Sequence, residues 1–254
     1  MNILFSIIIP SYNQGHFIKQ TIDSILDQSY KNVEILVIDG GSTDHTVEIL
    51  KGYNEKIFWL SENDRGQTHA INKGIALAKG NIITYLNSDD YYLVDTLQNV
   101  KSFFEANKDR YWLTGDYIIV DKNGNRIQSI IGTYKSFFRR FLSFNLLSVL
   151  NPVNQPSTFL TRDLIAKVGL FNEEYRYVMD YDYWMRAIKI QKPIIVKNKL
   201  AAFRIHSDSK GGSQYKKQFE EELVVADKYQ PKIVFKWLHR IHILLINLIY
   251  KILK

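Results

Sequence analysis

The first hundred residues alternate short apolar runs with segments of helical periodicity, and few architectures accommodate that order. Ile3 to Ile9 is a continuous apolar run, and His16 to Gln28 follows with Phe17, Ile18, Ile22, Ile25 and Leu26 at helical spacing. Glu34 to Ile38 is a second apolar strand, and Ser42-Thr43-Asp44 supplies capping chemistry for a helix through Leu50. Ile57 to Leu60 is a third strand. A helix then runs from about Gln67 to Lys79, with Ile71, Ile75 and Leu77 inward and Gly80 placed as a left-handed terminator. Ile82 to Leu86 closes the series. This alternation predicts an α/β fold with a mainly parallel sheet and right-handed crossovers.

The second half is less regular. Trp112 to Val120, the turn Asp121-Lys122-Asn123-Gly124 and Arg126 to Ile131 read as an antiparallel hairpin. Tyr134 to Leu150, rich in Phe and Leu, reads as helical. A short strand near Ser157 to Thr161, a helix from about Tyr181 to Ile190, one or two strands within Ile194 to Ile205 and a charged helix from Gln214 to Tyr229 complete the body.

With no cysteine in 254 residues, disulfides and thiolate metal sites are excluded. The opening apolar run lacks a basic flank and a cleavage site and ends at Pro10, so it is expected to be a strand rather than a signal peptide, with a cytosolic location as the default. Five of the seven net positive charges (Lys232, Lys236, Arg240, Lys251 and Lys254) fall in residues 231–254, which contain no acid. The near-neutral body gives nucleic-acid binding little support. In the tail, basic and polar residues recur at three- and four-residue steps. Ile233, Leu238, Ile241, Leu245, Leu248, Ile249 and Ile252 fill the other faces, with Phe235 and Trp237 adding aromatic bulk. The pattern is that of a basic amphipathic helix lying in an anionic membrane surface; a terminal helix folded back on the body is the alternative. Its longest uncharged run, Ile241 to Tyr250, is too short to span a bilayer.

Tyr85-Leu86-Asn87-Ser88-Asp89-Asp90 sets two adjacent carboxylates just past a buried strand. Strand ends in α/β sheets are where ligands bind. Neighbouring acids repel unless a cation or a shared proton relieves them, and hard divalent ions with oxygen ligands commonly accompany phosphate-bearing substrates.

Four segments belong together: Ile8-Ile9-Pro10-Ser11-Tyr12-Asn13, Val37-Ile38-Asp39-Gly40-Gly41-Ser42-Thr43-Asp44, Asn87-Ser88-Asp89-Asp90 and Met179-Asp180-Tyr181-Asp182-Tyr183-Trp184-Met185-Arg186. Their order and spacing resemble family 2 glycosyltransferases, inverting enzymes of the GT-A fold. Asp64-Arg65-Gly66 ahead of Ala70 to Gly74, and Phe203-Arg204-Ile205-His206, add to the likeness, which covers roughly residues 3 to 210. The resemblance implies a GT-A-like, Rossmann-like mixed sheet in residues 1–229. Residues 1–100 would form the nucleotide-binding half, 101–229 the acceptor-binding half and 230–254 the membrane-associating tail.

The first three loops converge on one sheet edge in such a sheet. There Tyr12 offers a face on which a base could stack, or simply caps the core. The resemblance implies that Asp39 contacts uracil or its equivalent, and that Pro10, Tyr12, Arg65, Asn87, Ser88 and Arg204 also serve the donor nucleotide. The Asn87 to Asp90 segment corresponds to the family's DxD motif. Its metal-binding aspartate falls on Asp89, and its first aspartate is replaced by Asn87, which can still bond a ribose hydroxyl but adds no charge. Asp90 then supports the metal through water or fixes the loop, and His206 contacts the metal or the diphosphate. Asp180 falls on the family's catalytic base, with Met179 in place of the usual glutamate. Asp182 is the nearby rival, read as a helix N-terminal or Arg186-paired residue.

The activity so implied moves a hexosyl group from a nucleotide-diphosphate sugar, UDP-sugar first, to a hydroxyl of a lipid-linked glycan, with Mn2+ or Mg2+ as cofactor. Similar enzymes build cell-surface polysaccharide, lipopolysaccharide and O-antigen, which implies a peripheral location on the inner face of the membrane. Two rivals are weighed. A nucleotidyltransferase would favour a Gly-rich, Lys-bearing loop after strand one, and Pro10 to Gly15 has no lysine. An inactive membrane-bound scaffold would explain Asn87 and Met179 as marks of lost activity.

Overall fold

The computed structural model describes residues 2–127, 130–206 and 215–252. Among them, nine strands form one mixed sheet. β1 (Phe5–Ser11) lies between β2 (Val33–Asp39) and β4 (Ile82–Tyr85), and β3 (Phe58–Ser61) edges β2; all these pairs are parallel. Beyond β4 the order continues through β8 (Thr158–Thr161), β6 (Trp112–Val120) and β9 (Ile194–Arg204) to β5 (Tyr91–Tyr92), while β7 (Arg126–Ile127) pairs with β6. β8 is antiparallel to both β4 and β6, whereas β6 and β9 run parallel.

Period-two alternation sorts the strand side chains onto two cores. Ile7, Ile9, Ile35 and Val37 pack with α1 (Ile18–Leu26), α2 (Thr46–Lys51) and α4 (Thr96–Ala106) on one face. Ile8, Leu36 and Ile38 pack on the other with α3 (Gln67–Leu77), α7 (Arg162–Val168) and α8 (Met179–Ile190). A strand buried on both faces reads as a nearly continuous apolar run. Ile3 to Ile9 is such a run, broken only by the buried Ser6, whose hydroxyl donates to Glu34.

Several expectations shift in detail. Tyr134 to Leu150 is two short helices, α5 (Ile130–Arg139) and α6 (Phe144–Leu147), instead of one. Ile194 to Arg204 is a single strand. The hairpin's return strand is two residues long where it is described, positions 128 and 129 lying outside the described residues. Gly80 does not terminate α3: the helix ends at Ala78 in an extended conformation. Instead a Cβ on Gly80 would stand 2.6 Å from the Leu4 carbonyl oxygen and 2.5 Å from Ser6 Oγ, so the glycine permits a close backbone approach.

α9 (Tyr215–Tyr229) and α10 (Ile233–Ile252) close the chain; the expected start at Gln214 and the terminal Lys254 fall outside the described residues. α9 is fixed beside α8 by Tyr229, whose hydroxyl donates to the buried Asp182 at 2.8 Å. α10 folds back on α9. Lys236 donates to the Asp227 carbonyl at 2.9 Å, Arg240 pairs with the Asp227 carboxylate at 2.5 Å, and His239 and Ile243 are buried. Lys236, His239 and Arg240, part of the polar stripe expected to meet an anionic surface, therefore turn toward the body, while Lys232 is exposed and Ile233, Trp237, Ile241, Leu244 and Leu248 point outward.

Candidate active site

Because β1, β2 and β4 are parallel, the loops after Ser11, Asp39 and Tyr85 leave the sheet on one edge. Together with residues 63–70, 173–176 and 203–206 they bound a cleft of about 970 Å³. Tyr12 stands in its wall with its side chain 60% exposed, free to offer a ring face. Two loops are stapled to each other there: Asn13 Oδ1 accepts from Thr43 N at 2.9 Å, and Ser42 Oγ accepts from Asn13 N at 2.7 Å.

Asp39 is placed differently from the expectation. It is 1% exposed and lies behind the wall formed by Gly40 and Gly41, which line the cleft while Asp39 does not. Its carboxylate accepts from Ser42 N at 2.9 Å, Gly41 N at 3.2 Å, Ser42 Oγ at 2.5 Å and Ser61 Oγ at 2.6 Å. Those bonds shape the turn, and Gly41 at φ +82° occupies the left-handed region it requires. In this structure the acid holds the loop.

The Asn87 to Asp90 segment divides its two acids between different jobs. Asp89 faces the cleft, its Oδ2 3.1 Å from His206 Nε2. Asp90 is 1% exposed and does not line the cleft, and its bonds are those of the loop-fixing alternative. It accepts from Arg204 N at 2.9 Å and from Asn87 Nδ2 at 3.2 Å. Burial, then the charge of Asp89, raises its pKa well above the ordinary carboxylate range. Ser88 donates to the Pro10 carbonyl at 3.1 Å, tying this loop to β1, and Asn87 accepts from Gln67 Nε2 at 2.7 Å.

Arg204 was expected on a diphosphate. The structure engages it inside the protein: it is 2% exposed and donates to four backbone or side-chain oxygens. Nε reaches the Asp89 carbonyl at 2.7 Å, Nη1 the Asp121 and Lys122 carbonyls at 3.2 and 3.0 Å, and Nη2 Gln20 Oε1 at 2.5 Å. Its guanidinium lies 4.9 Å from the Phe17 ring centre and 5.5 Å from that of Tyr91. Arg204 thus positions the Asp89 loop. Arg65 remains on the cleft, bonded through Nε and Nη2 to Glu173 Oε2 at 3.1 and 2.8 Å. An exposed ion pair of this kind is worth at most about 1 kcal/mol, so phosphate can compete for Arg65.

Asp180 occupies the first turn of α8, half-buried, with Oδ1 accepting from Tyr181 N at 2.8 Å. It does not line the cleft but adjoins it through Met179, whose sulfur accepts from the cleft residue Thr68 at 3.1 Å. Asp182 is fully buried and bonded to Arg186 and Tyr229, a structural role. Sequence reasoning passed over Glu173, Tyr175 and Arg176, which line the cleft opposite Tyr12's loop. The only signal was a cluster of charge and aromatics shortly before Asp180. Phe17, counted as core, packs 4.9 Å from the His206 ring.

A model of the family described as glycosyl transferase family 2 matches residues 6–169, more than half of the chain. An uncharacterized glycosyltransferase of Rickettsia prowazekii (strain Madrid E) is 31% identical over 207 residues, covering 80% of this chain. The chain spans 64% of that relative's length. Among solved structures, S. aureus TarS 1-349 in complex with UDP-GlcNAc superposes with a TM-score of 0.69 at 21% identity, over 92% of this chain and 69% of that one. The mannosyltransferase PcManGT from Pyrobaculum calidifontis, in complex with GDP-Man and Mn2+, gives a TM-score of 0.68 at 17% identity over 93% of this chain and 68% of that one. The mixed sheet, the cleft at its parallel edge and the family match agree: this chain belongs to glycosyl transferase family 2 and has the GT-A fold.

Proposed function

We propose that the protein transfers a sugar, with inversion, from a nucleotide-diphosphate donor to a hydroxyl of a lipid-linked glycan in cell-surface polysaccharide synthesis. The donor reading is supported by the cleft's composition. An exposed aromatic ring at Tyr12, a glycine wall at Gly40 and Gly41, and Arg65 near the mouth suit a base, a ribose and phosphates respectively. The likeness to structures holding UDP-GlcNAc and GDP-Man with Mn2+ supports the same class. A UDP-sugar is the first candidate.

The observation that carries the reading is the Asp89–His206 pair, a carboxylate and an imidazole 3.1 Å apart on the cleft wall. That donor set fits a divalent cation that takes its remaining ligands from phosphate and water, as Mg2+ and Mn2+ commonly do. Among the described residues no group of three or more acidic or imidazole side chains forms a complete cage. Asp89 and His206 would hold the ion, and its chemistry is neutralisation of charge on the departing diphosphate. Arg204 and Asp90 hold the backbone that carries Asp89.

Asp180 takes the proton of the acceptor hydroxyl as its oxygen bonds to the anomeric carbon, and the electron pair of the broken bond leaves with the nucleoside diphosphate. Residues 1–100 would supply the donor contacts, residues 101–229 the acceptor side, and residues 230–254 would keep the enzyme at the inner membrane face. The test is a nucleotide-sugar panel with and without Mn2+, followed by Asp180→Asn. Turnover should fall by about 10²–10⁴ with donor affinity retained. Near-normal turnover in that variant would remove Asp180 as the base. Metal-dependent hydrolysis of the donor in the absence of acceptor separates a working transferase from a donor-binding scaffold.

A further inference from the structure

α10 presents its two sides the wrong way round for a helix that merely finishes a soluble core. Ile233, Trp237, Ile241, Leu244 and Leu248 recur at three- and four-residue steps, and Val234, Leu238 and Leu245 lie on the adjoining stripe. All eight are exposed, from 43% at Leu238 to 69% at Leu244. The opposite side carries Lys236, His239, Arg240 and Ile243, the residues that dock on α9. α5 runs beside α10, with Tyr134 stacked on His242 at 6.0 Å; Phe137 of α5 is 53% exposed, and Phe141 in the turn after it, 5.5 Å from Phe137, is 62% exposed. An apolar surface this continuous on a globular chain needs an occupant.

We propose that this outward face of α10 is a docking surface for the hydrocarbon–headgroup boundary of a lipid bilayer, held chiefly by apolar insertion and not by basic charge. Three observations select lipid. Trp237 and two phenylalanines are side chains that settle at membrane interfaces. Residues 231–254 contain no acid and Lys232 is exposed, so the helix itself carries no side chain that repels phosphate headgroups. None of the described helices is long and apolar enough to cross a membrane, which leaves the in-plane arrangement. Lys236 and Arg240 are bonded to Asp227, so the attraction that basic residues would contribute is reduced at its centre.

The surface is also tied to the active site. α9, on which α10 rests, carries Glu221, whose carboxylate accepts from Arg176 N and Tyr177 N at 3.2 and 2.8 Å, and Arg176 lines the cleft. The helix that bears the surface is thus linked through α9 to a residue of the cleft wall. This deepens the reading of a lipid-linked acceptor and rests on it.

The test uses the full chain and vesicles, with no sugar turnover required. Wild-type protein should float with zwitterionic phosphatidylcholine vesicles and stay bound in about 0.5 M NaCl, where exposed charges are screened within a few ångströms. Ile241→Glu/Leu244→Glu/Leu245→Glu should weaken vesicle binding by about tenfold or more while leaving the melting temperature and UDP-sugar binding unchanged. These point changes leave the buried side of the helix intact, which removal of the helix would not. Binding that requires anionic lipid or vanishes in high salt would overturn the apolar mode. A wild-type dimer in solution that the triple variant converts to monomer, with no vesicle binding by either, would assign the face to a second copy instead. Failure of donor binding with normal flotation would count against the transferase reading alone.

Discussion

At the scale of single residues, the loop around Asp89 shows how a side chain can matter through the backbone it holds. Arg204 donates to the Asp89, Asp121 and Lys122 carbonyls from three directions, a fork that an ammonium cannot reproduce. Arg204→Lys should therefore cost roughly 2–4 kcal/mol in urea unfolding, because buried carbonyls lose charged donors. It should also weaken metal-dependent donor binding. Unchanged stability would mean that the carbonyls find other partners. Tyr12→Ala tests the opposite case, an exposed ring with no structural duty. Nucleotide affinity should fall about tenfold by calorimetry, within the 1–3 kcal/mol of a stacked base, while the melting temperature stays put. These residues also mark how far the motifs could be read. Asp89, His206 and Tyr12 stand out in sequence because their types suggest chemistry at a strand end, and the structure places all three on the cleft. Asp39 and Asp90 read as site acids in sequence, yet each is buried and bonded within the protein, while Arg204 is buried but still borders the cleft. Which lone pair meets ligand and which meets main chain depends on depth, and depth has no local signature.

At the scale of elements, period and length located β1, β2, β4 and α3 because each buries a long apolar stripe. They failed at α4 and at the short α7, and at the 130–150 region, where a run of Phe and Leu fits a broken helix as well as a continuous one. Tight crossings are testable here. A Cβ on Gly74 would lie 2.4 Å from Ile8 Cγ2, so Gly74→Ala should cost about 1–3 kcal/mol by overpacking α3 against β1.

The α9–α10 junction makes a pH prediction. Burial, opposed by Lys135 and assisted by Asp180, pushes Glu222 up to about 7. Its carboxyl therefore favours the folded state below about pH 4.5 and loses that contribution as pH rises through 7. Burial pushes both His239 and His242 down to about 4, with His242 acting further on His239 and Lys135 on His242. Their contribution is present above 6.5 and is lost as pH falls toward 4. Glu222 and His239 lie 3.9 Å apart, but a neutral imidazole makes no ion pair there at pH 7. Glu222→Gln should accordingly raise the melting temperature relative to wild type more at pH 8 than at pH 5. Equal differences at both pH values would show that the buried carboxyl is not titrating.

At the scale of the whole molecule, the first hundred residues do not stand apart. Ile82 and Ile83 of β4 pair with Thr161 and Leu160 of β8, and Asn72 locks onto Phe171 with reciprocal bonds of 2.9 and 3.0 Å. The division at residue 100 is functional at most, because one sheet crosses it. Sequence pattern missed this since parallel and antiparallel neighbours give similar apolar runs, and pairing partners eighty residues apart leave no periodic trace. The short strand β5 has a particular place in that sheet. Only five residues separate it from β4 along the chain, yet it pairs with β9 at the far end of the strand order, Tyr91 opposite Ala202 and Tyr92 opposite Ala201. The acid-bearing loop is anchored at both ends by sheet hydrogen bonds, and the imidazole hangs two residues past the strand that anchors it. Amide protons at 92, 202 and 204 should then exchange with solvent only when the entire chain opens, and heating should extinguish nucleotide capture and native structure at one temperature. An enzyme so constructed has no low-energy route to a folded but ligand-blind form.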